Sequence, residues 1–155
     1  MFVGAGTDVQ TVTGSAKADT VTIGSTGAIT HVVSGGTGTD TTNITVTTGF
    51  VNAGSIDTEN VNVTVAAGVD ITLSGASFGT GVDNVVITGG NSLSTFDAAT
   101  IVTQVKSVDA SAFLGNLVLD VADDAIDSTI SIKGGALATD EIDYTIANTG
   151  TDALT

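Results

Sequence analysis

The most constraining feature of this chain is a series of short runs in which apolar residues alternate with Thr, Ser or Asn. The runs recur at intervals of about ten to fifteen residues and are bounded by Gly, Asn and Asp, which is the signal for short β-strands. Val, Ile and Thr are stiff at the first side-chain torsion and favour extended backbone. Pro is absent, so Gly, Asn and Asp must make the turns. The pattern predicts an all-β chain.

Strands of four or five residues at this spacing are typical of a sandwich or a solenoid. Only the stretch 97–102 has a pattern that allows a helical turn. The predicted strands lie near residues 20–23, 29–33, 43–47, 61–65, 70–73, 84–88, 105–108, 117–121, 128–132 and 142–146.

Glycine-rich turns that end in Asp favour the solenoid. Segment 35–43, GGTGTDTTN, fits the calcium-binding nonapeptide pattern GGxGxDxUx, except that Thr42 stands where a large apolar residue belongs. Glycines permit a tight turn with exposed carbonyls, Asp supplies a hard oxygen ligand, and the apolar position starts a strand. The turns therefore predict an irregular right-handed parallel β-helix, with an antiparallel β-sandwich as the alternative. Weaker or altered copies occur at 3–9, 14–21, 78–85 and 134–142.

The acids of these turns are unevenly spaced along the chain. They are Asp8, Asp19, Asp40, Asp83 and Asp140. A regular calcium-binding roll shares each ion between successive loops of constant length. Uneven spacing predicts a few discrete calcium sites rather than a continuous ladder of ions.

The charge balance excludes several classes of partner. Seventeen acids against three lysines and no arginine give a net charge of −14. Nucleic acids and anionic membrane surfaces are recognised by clustered cations, so neither is expected as a partner. No apolar run approaches the ~18 residues of a membrane span, so we expect no membrane insertion. Divalent cations, Ca²⁺ above all, are the expected neutralising partner.

The segment from Phe78 to Asp152 carries a resemblance to a known family. It contains VDNVVITGG at 82–90, VDASAFLGNLVLDV at 108–121 and ISIKGG at 130–135. This order resembles bacterial surface-layer (S-layer) proteins of the RTX-related, type I-secreted, calcium-binding kind. The resemblance implies an extracellular lattice protein that uses calcium to fold or to join neighbours. Carried over onto the matching turns, it implies metal ligands at Gly6, Asp8, Gly36, Gly38, Asp40, Gly79, Gly81, Asp83 and Asp140.

The expected function is therefore structural. Residues 1–155 are expected to form one β-rich assembly domain, or a fragment or repeat unit of a larger surface protein. Its expected partner is itself, in a homo-oligomeric lattice or filament at the bacterial cell surface, with outer-surface polysaccharide as a further partner. The alternative is a calcium-dependent adhesin or ice-binding repeat module. An ice-binding face requires the Thr-x-Thr pairs to stack in register on one flat side, and the uneven spacing argues against that.

Catalysis is not expected, because the chain has one histidine, no arginine and only 4% aromatic residues. His31 is expected on a strand surface or in a hydrogen bond rather than in a metal site. Asp123, Asp124 and Asp127 form either a second cation site or, as we favour, a solvated loop.

Overall fold

The structure, a computed structural model, describes residues 2–3, 9–25, 31–48, 50–52, 55–73, 78–101, 105–122, 129–145 and 153–154. These residues form sixteen β-strands and no helix. The strands are β1 (Phe2–Val3), β2 (Thr11–Thr13), β3 (Thr20–Ser25), β4 (Val32–Ser34), β5 (Thr41–Val46), β6 (Phe50–Asn52), β7 (Ser55–Asp57), β8 (Asn60–Val65), β9 (Ile71–Leu73), β10 (Asn84–Gly89), β11 (Thr95–Ile101), β12 (Ser107–Phe113), β13 (Asn116–Ala122), β14 (Thr129–Lys133), β15 (Glu141–Thr145) and β16 (Ala153–Leu154).

The strands stack into three parallel sheets. Sheet A has the order β1-β3-β5-β8-β10-β12-β14-β16, sheet B the order β2-β4-β7, and sheet C the order β15-β13-β11-β9-β6. Successive strands β5, β6, β7 and β8 visit sheets A, C, B and A, which is one coil of a solenoid. Every pairing between the described strands is parallel. The predicted parallel β-helix is confirmed, and an antiparallel sandwich does not describe these strands.

The coil length varies, yet the strands of sheet A stay in register except at one bulge between β10 and β12, where Thr88 pairs with Ala112. Hydrogen bonds between equivalent positions of neighbouring coils span 21, 19, 24 and 23 residues. The corners absorb the difference in length. Only Thr58 and Glu59 separate β7 from β8, whereas the longer segment 35–40 separates β4 from β5. Uneven spacing in sequence therefore does not prevent regular stacking in space.

Alternation along each strand places one set of side chains in the core. In β5 and β8 every second residue is buried, which brings Ile44 against Val63 and Val46 against Val65 in register. Each fully buried Val or Ile side chain contributes roughly 1.5–3 kcal/mol relative to an exposed one. Thr42 occupies a core position between Val21 and Val61. Its buried hydroxyl accepts a 3.0 Å hydrogen bond from the Thr58 hydroxyl.

The prediction of a helical turn at 97–102 is wrong for its described residues, because 97–101 belong to strand β11. Phe96 and Ala98 alternate into the core, and β11 pairs with β9 on one side and β13 on the other. The Phe96 ring packs edge-to-face on Phe113, with centroids 6.4 Å apart and planes at 73°. Within the described ranges no helix is long and apolar enough to cross a membrane.

Among the described residues, one apolar side chain at the C-terminal end of sheet C is exposed at a position that continues the core. Leu119 on β13 is 1% exposed, but Ile142, its register partner on β15, is 41% exposed. Strand β15 is the edge of the sheet, and Glu141 and Asp143 flank Ile142 as exposed residues. Charges on an edge strand oppose uncontrolled pairing with other strands.

We expect Phe113→Ala to lower the free energy of unfolding by about 3–5 kcal/mol, because it empties a fully buried site and removes the contact with Phe96. The matched control is Leu114→Ala, one residue along and 52% exposed, for which we expect a change within about 0.5 kcal/mol. Urea unfolding followed by circular dichroism measures both changes. Equal losses for the two variants would contradict this description of the core.

Candidate cation site

The corners between sheets B and A hold most of the predicted site residues that the structure describes. Gly36 and Gly38 have φ values of 94° and 138°, which L side chains rarely adopt. A Cβ at Gly36 would overlap the Ser15 carbonyl oxygen, and one at Gly38 would lie 2.9 Å from the Lys17 carbonyl carbon. The Thr37 N–H also donates to the Ser15 carbonyl at 3.2 Å. These glycines let the corner between β4 and β5 lie directly on the corner between β2 and β3.

Four acids occupy the same place in successive corners and form what we call the carboxylate column. Asp19, Asp40, Glu59 and Asp83 each precede the first residue of a sheet A strand, and those first residues pair in register. Neighbouring strands lie about 4.8 Å apart, so the acids succeed one another at that rise along the solenoid axis. Lys106 holds the next position, and its Nζ lies 2.8 Å from Asp83 Oδ1.

Backbone N–H groups bind the first three carboxylates of the column. The Asp19 N–H donates to Asp40 Oδ1 and the Asp40 N–H donates to Glu59 Oε2, both at 2.7 Å. The Ser15 N–H donates to Asp19 Oδ2 at 2.5 Å. This bond, followed by the Ser15 hydroxyl, holds the pKa of Asp19 below its ordinary value. The acids therefore act as caps for the corners as well as carriers of charge.

Asp40 is the most enclosed member of the column. The residue is 1% exposed, and its Oδ2 atom is buried without a hydrogen-bond partner in the described structure. A Cβ at Gly35 would overlap Asp40 Oδ2, so only glycine lets the carboxylate lie against this corner. A buried carboxylate oxygen without a donor is costly, and a bound cation would relieve that cost.

The glycine turn before Asp83 receives a different carboxylate from the expected one. The Gly81 N–H donates to Asp57 Oδ1 at 2.6 Å, and a Cβ at Gly79 would lie 2.6 Å from the same oxygen. Asp57 comes from β7 of the preceding coil, while Asp83 pairs with Lys106. The structure therefore brings Gly79 and Gly81 together with Asp57.

Asp140 lies at another edge of the solenoid, where sheet A leads into sheet C. Its Oδ2 accepts from the Gly135 N–H at 2.6 Å and its Oδ1 from the Leu117 N–H at 3.1 Å. It is therefore separate from the carboxylate column. The predicted site residues Gly6 and Asp8, and the acids Asp123, Asp124 and Asp127, lie outside the described residues.

Sequence reasoning left Asp57 and Glu59 open between solvent-facing positions and a metal-bridged contact between subunits, and it did not place them in these corners. Glu59 follows no glycine, and Asp57 lies outside any turn motif. The position of Glu59 in the sequence is the signal that could identify it. Glu59 comes directly before a strand that resembles its neighbours, 19 residues after Asp40. A search for acids before equivalent strands, instead of acids after glycines, finds Glu59 as a member of the column.

The arrangement sets limits on a cation site. Within the described ranges, no three His, Asp or Glu side chains converge closely enough to hold a metal ion. Ca²⁺ takes six to eight oxygen ligands, so carboxylates of the column would bind it only together with corner carbonyls and water. A depression of about 260 Å³ opens beside Asp19, lined by Val12, Gly14, Ser15 and Val21 among others. This depression gives solvent access to the corner between β2 and β3.

His31 is buried beside the N-terminal coil. Its Nδ1 accepts a 3.2 Å hydrogen bond from the Gln10 N–H, as the predicted hydrogen-bonded role requires. Its Nε2 is buried without a hydrogen-bond partner in the described structure.

Comparisons with protein-family models, with curated proteins and with solved structures find no match for this chain.

We expect Gly35→Ala to destabilise the fold, because the added methyl would overlap Asp40 Oδ2 and lie 2.7 Å from Asp40 Cβ. The loss should be about 1–3 kcal/mol, the usual cost of overpacking. Gly134→Ala is the matched control, since its Cβ meets only Asp140 Oδ2, at 3.1 Å. Thermal and urea unfolding measure both variants. A control that loses as much stability as Gly35→Ala would show that the close approach to Asp40 is not the cause.

A second prediction concerns Asp109 on the outer face of sheet A. The Ser111 hydroxyl at 2.5 Å, then Lys133 at 2.9 Å, lower the pKa of Asp109 to about 2. Because this pKa lies below the ordinary value of 3.8, the interactions stabilise the fold above pH 3.8 and are lost as the pH falls towards 2. Ser111→Ala should raise the pKa of Asp109 more than Lys133→Met does, as measured by carboxyl ¹³C NMR. A larger rise for Lys133→Met than for Ser111→Ala would show that the ion pair is the main cause of the lowered pKa of Asp109.

Proposed function

We propose that this chain is a structural, self-assembling protein of the bacterial cell surface and that calcium stabilises its assembly. It forms an extracellular layer or fibre and performs no catalysis. Residues 1–155 act as one assembly unit, alone or within a larger surface protein. The resemblance of 78–152 to RTX-related surface-layer proteins supports this proposal and its implied export by type I secretion.

The single observation that carries the proposal is the carboxylate column, in which Asp40 Oδ2 has no hydrogen-bond partner among the described residues. Like charges at directly opposite positions of neighbouring strands destabilise a sheet. Lys106 relieves this repulsion at Asp83, and backbone N–H groups relieve part of it at the other three acids. In a chain of net charge −14, bound calcium would neutralise the repulsion that remains between these acids.

The C-terminal end of sheet C supports self-association. Ile142 is exposed although its register partner Leu119 is buried, and it is flanked by exposed Glu141 and Asp143. A neighbouring subunit would cover Ile142 only after these carboxylates had been neutralised. Calcium therefore acts both on folding and on the contact between subunits.

The Thr pairs do not separate assembly from ice binding, because Thr20, Thr22 and Thr45 share the outer face of sheet A and only Thr11 and Thr13 lie on sheet B. The adhesin or ice-binding alternative therefore remains as an outcome of the experiment below.

Negative-stain electron microscopy of the purified chain, in calcium and then in chelator, tests the proposal. We expect ordered sheets or fibres in calcium that disperse on chelation. Asp40→Asn should raise the calcium concentration needed for assembly about tenfold, the effect of losing about 1.4 kcal/mol of cation binding.

Asp97→Asn is the matched control, because it removes the same charge from sheet C, where the register partners are Thr72 and Val118. We expect its calcium requirement to equal that of the unsubstituted chain. Assembly that ignores the chelator would refute the role of calcium. Dispersed monomers in both conditions would refute assembly and favour an adhesin.

A further inference from the structure

The outer face of sheet A differs in charge from the rest of this acidic chain. On the four strands β3, β5, β8 and β10 the outward positions carry no charged side chain. We call these positions the neutral face; they are Thr20, Thr22, Gly24, Thr41, Asn43, Thr45, Asn60, Asn62, Thr64, Asn84, Val86 and Thr88. Farther along the sheet, Asp109 and Lys133 form an ion pair at 2.9 Å and compensate each other.

Hydrogen bonds between strands hold the polar side chains of the neutral face in place. The Asn62 amide donates to Asn43 Oδ1 at 2.9 Å, and the Asn84 amide donates to Asn60 Oδ1 at 3.1 Å. The Thr64 and Thr88 hydroxyls lie 3.3 Å apart. Side chains that are already ordered, and that are short, lose little entropy when a partner covers them.

We propose that the neutral face is a lateral docking surface for a second copy of this chain, an inference that rests on the proposed self-assembly. Two copies of net charge −14 repel each other, and they approach with least repulsion where neither presents charge. Asn and Thr side chains each offer a donor and an acceptor, so the face is complementary to itself across a two-fold axis. Val86 on β10, 37% exposed, supplies apolar surface at one edge of this face.

The size of the face sets the strength of the contact. The four strands of the neutral face, about 4.8 Å apart and with six residues each at about 3.3 Å, give roughly 380 Å² per copy. A specific, stable interface buries about 800 Å² per partner. A single lateral contact is therefore weak, and it becomes effective when many copies are held in one array.

The test is sedimentation equilibrium of the full chain at high concentration in chelator, where calcium-dependent assembly is absent. We expect a weak, concentration-dependent dimer. Thr45→Glu and Thr45→Lys should each weaken it about tenfold, because either charge must be desolvated in the contact. The controls are Thr11→Glu and Thr11→Lys, the same changes at an exposed strand position of sheet B, which should leave the dimer unchanged. Urea unfolding verifies that all four variants fold.

Three results would overturn the proposal. Equal weakening by Thr45→Glu and Thr11→Glu, with strengthening by both Lys variants, would mean that overall charge governs association. If the chain is monomeric at every concentration, a second copy does not bind the neutral face. If that monomer also cosediments with insoluble neutral glucan, the face binds polysaccharide instead. Because this test is made without calcium, its failure is distinct from a failure of the calcium-dependent assembly.

Discussion

In-register parallel stacking is the constraint on which the rest of this structure depends. Each strand of sheet A bonds to the equivalent residues of the coils before and after it, so like positions repeat at about 4.8 Å along the axis. Repetition is favourable in the core, where Ile44 lies on Val63, and on the outer face, where Asn62 bonds Asn43. It is unfavourable for charge, because an acid at one position faces an acid at the next.

The chain meets this cost in two ways. In the first coils the acids lie in the corners rather than on the strands, and each accepts a backbone N–H, as Asp40 does from Asp19. In the later coils lysines take the next position, so that Lys106 pairs with Asp83 and Lys133 with Asp109. The charge of the column is thus compensated by a side chain at its C-terminal end, while backbone N–H groups stabilise the carboxylates at the end that contains Asp40.

Local pattern predicted the strands and the coil, but it did not predict which residues meet in the corners. Alternation at 61–65 or 84–88 lies within one strand and is visible in the sequence. The partner of a corner residue is 19 to 24 residues away, and corner length changes between coils, so a fixed offset does not find it. Asp57 consequently lies at the glycine turn that the motif associates with Asp83. Segment 97–101 was misread because Asp97-Ala98-Ala99 lacks β-branched residues, and pairing with β9 and β13 overrides that weak propensity.

The distribution of charge separates the two directions in which such a solenoid can associate. Along the axis, exposed Glu141 and Asp143 flank Ile142 on β15, the last described strand of sheet C. Sideways, the neutral face presents amides and hydroxyls that are already ordered by hydrogen bonds. In the proposed assembly, axial contact would therefore depend on cations, whereas lateral contact would not. Because one lateral contact is small, a stable array needs copies already aligned by axial contacts, so calcium would control growth in both directions through the axial step alone.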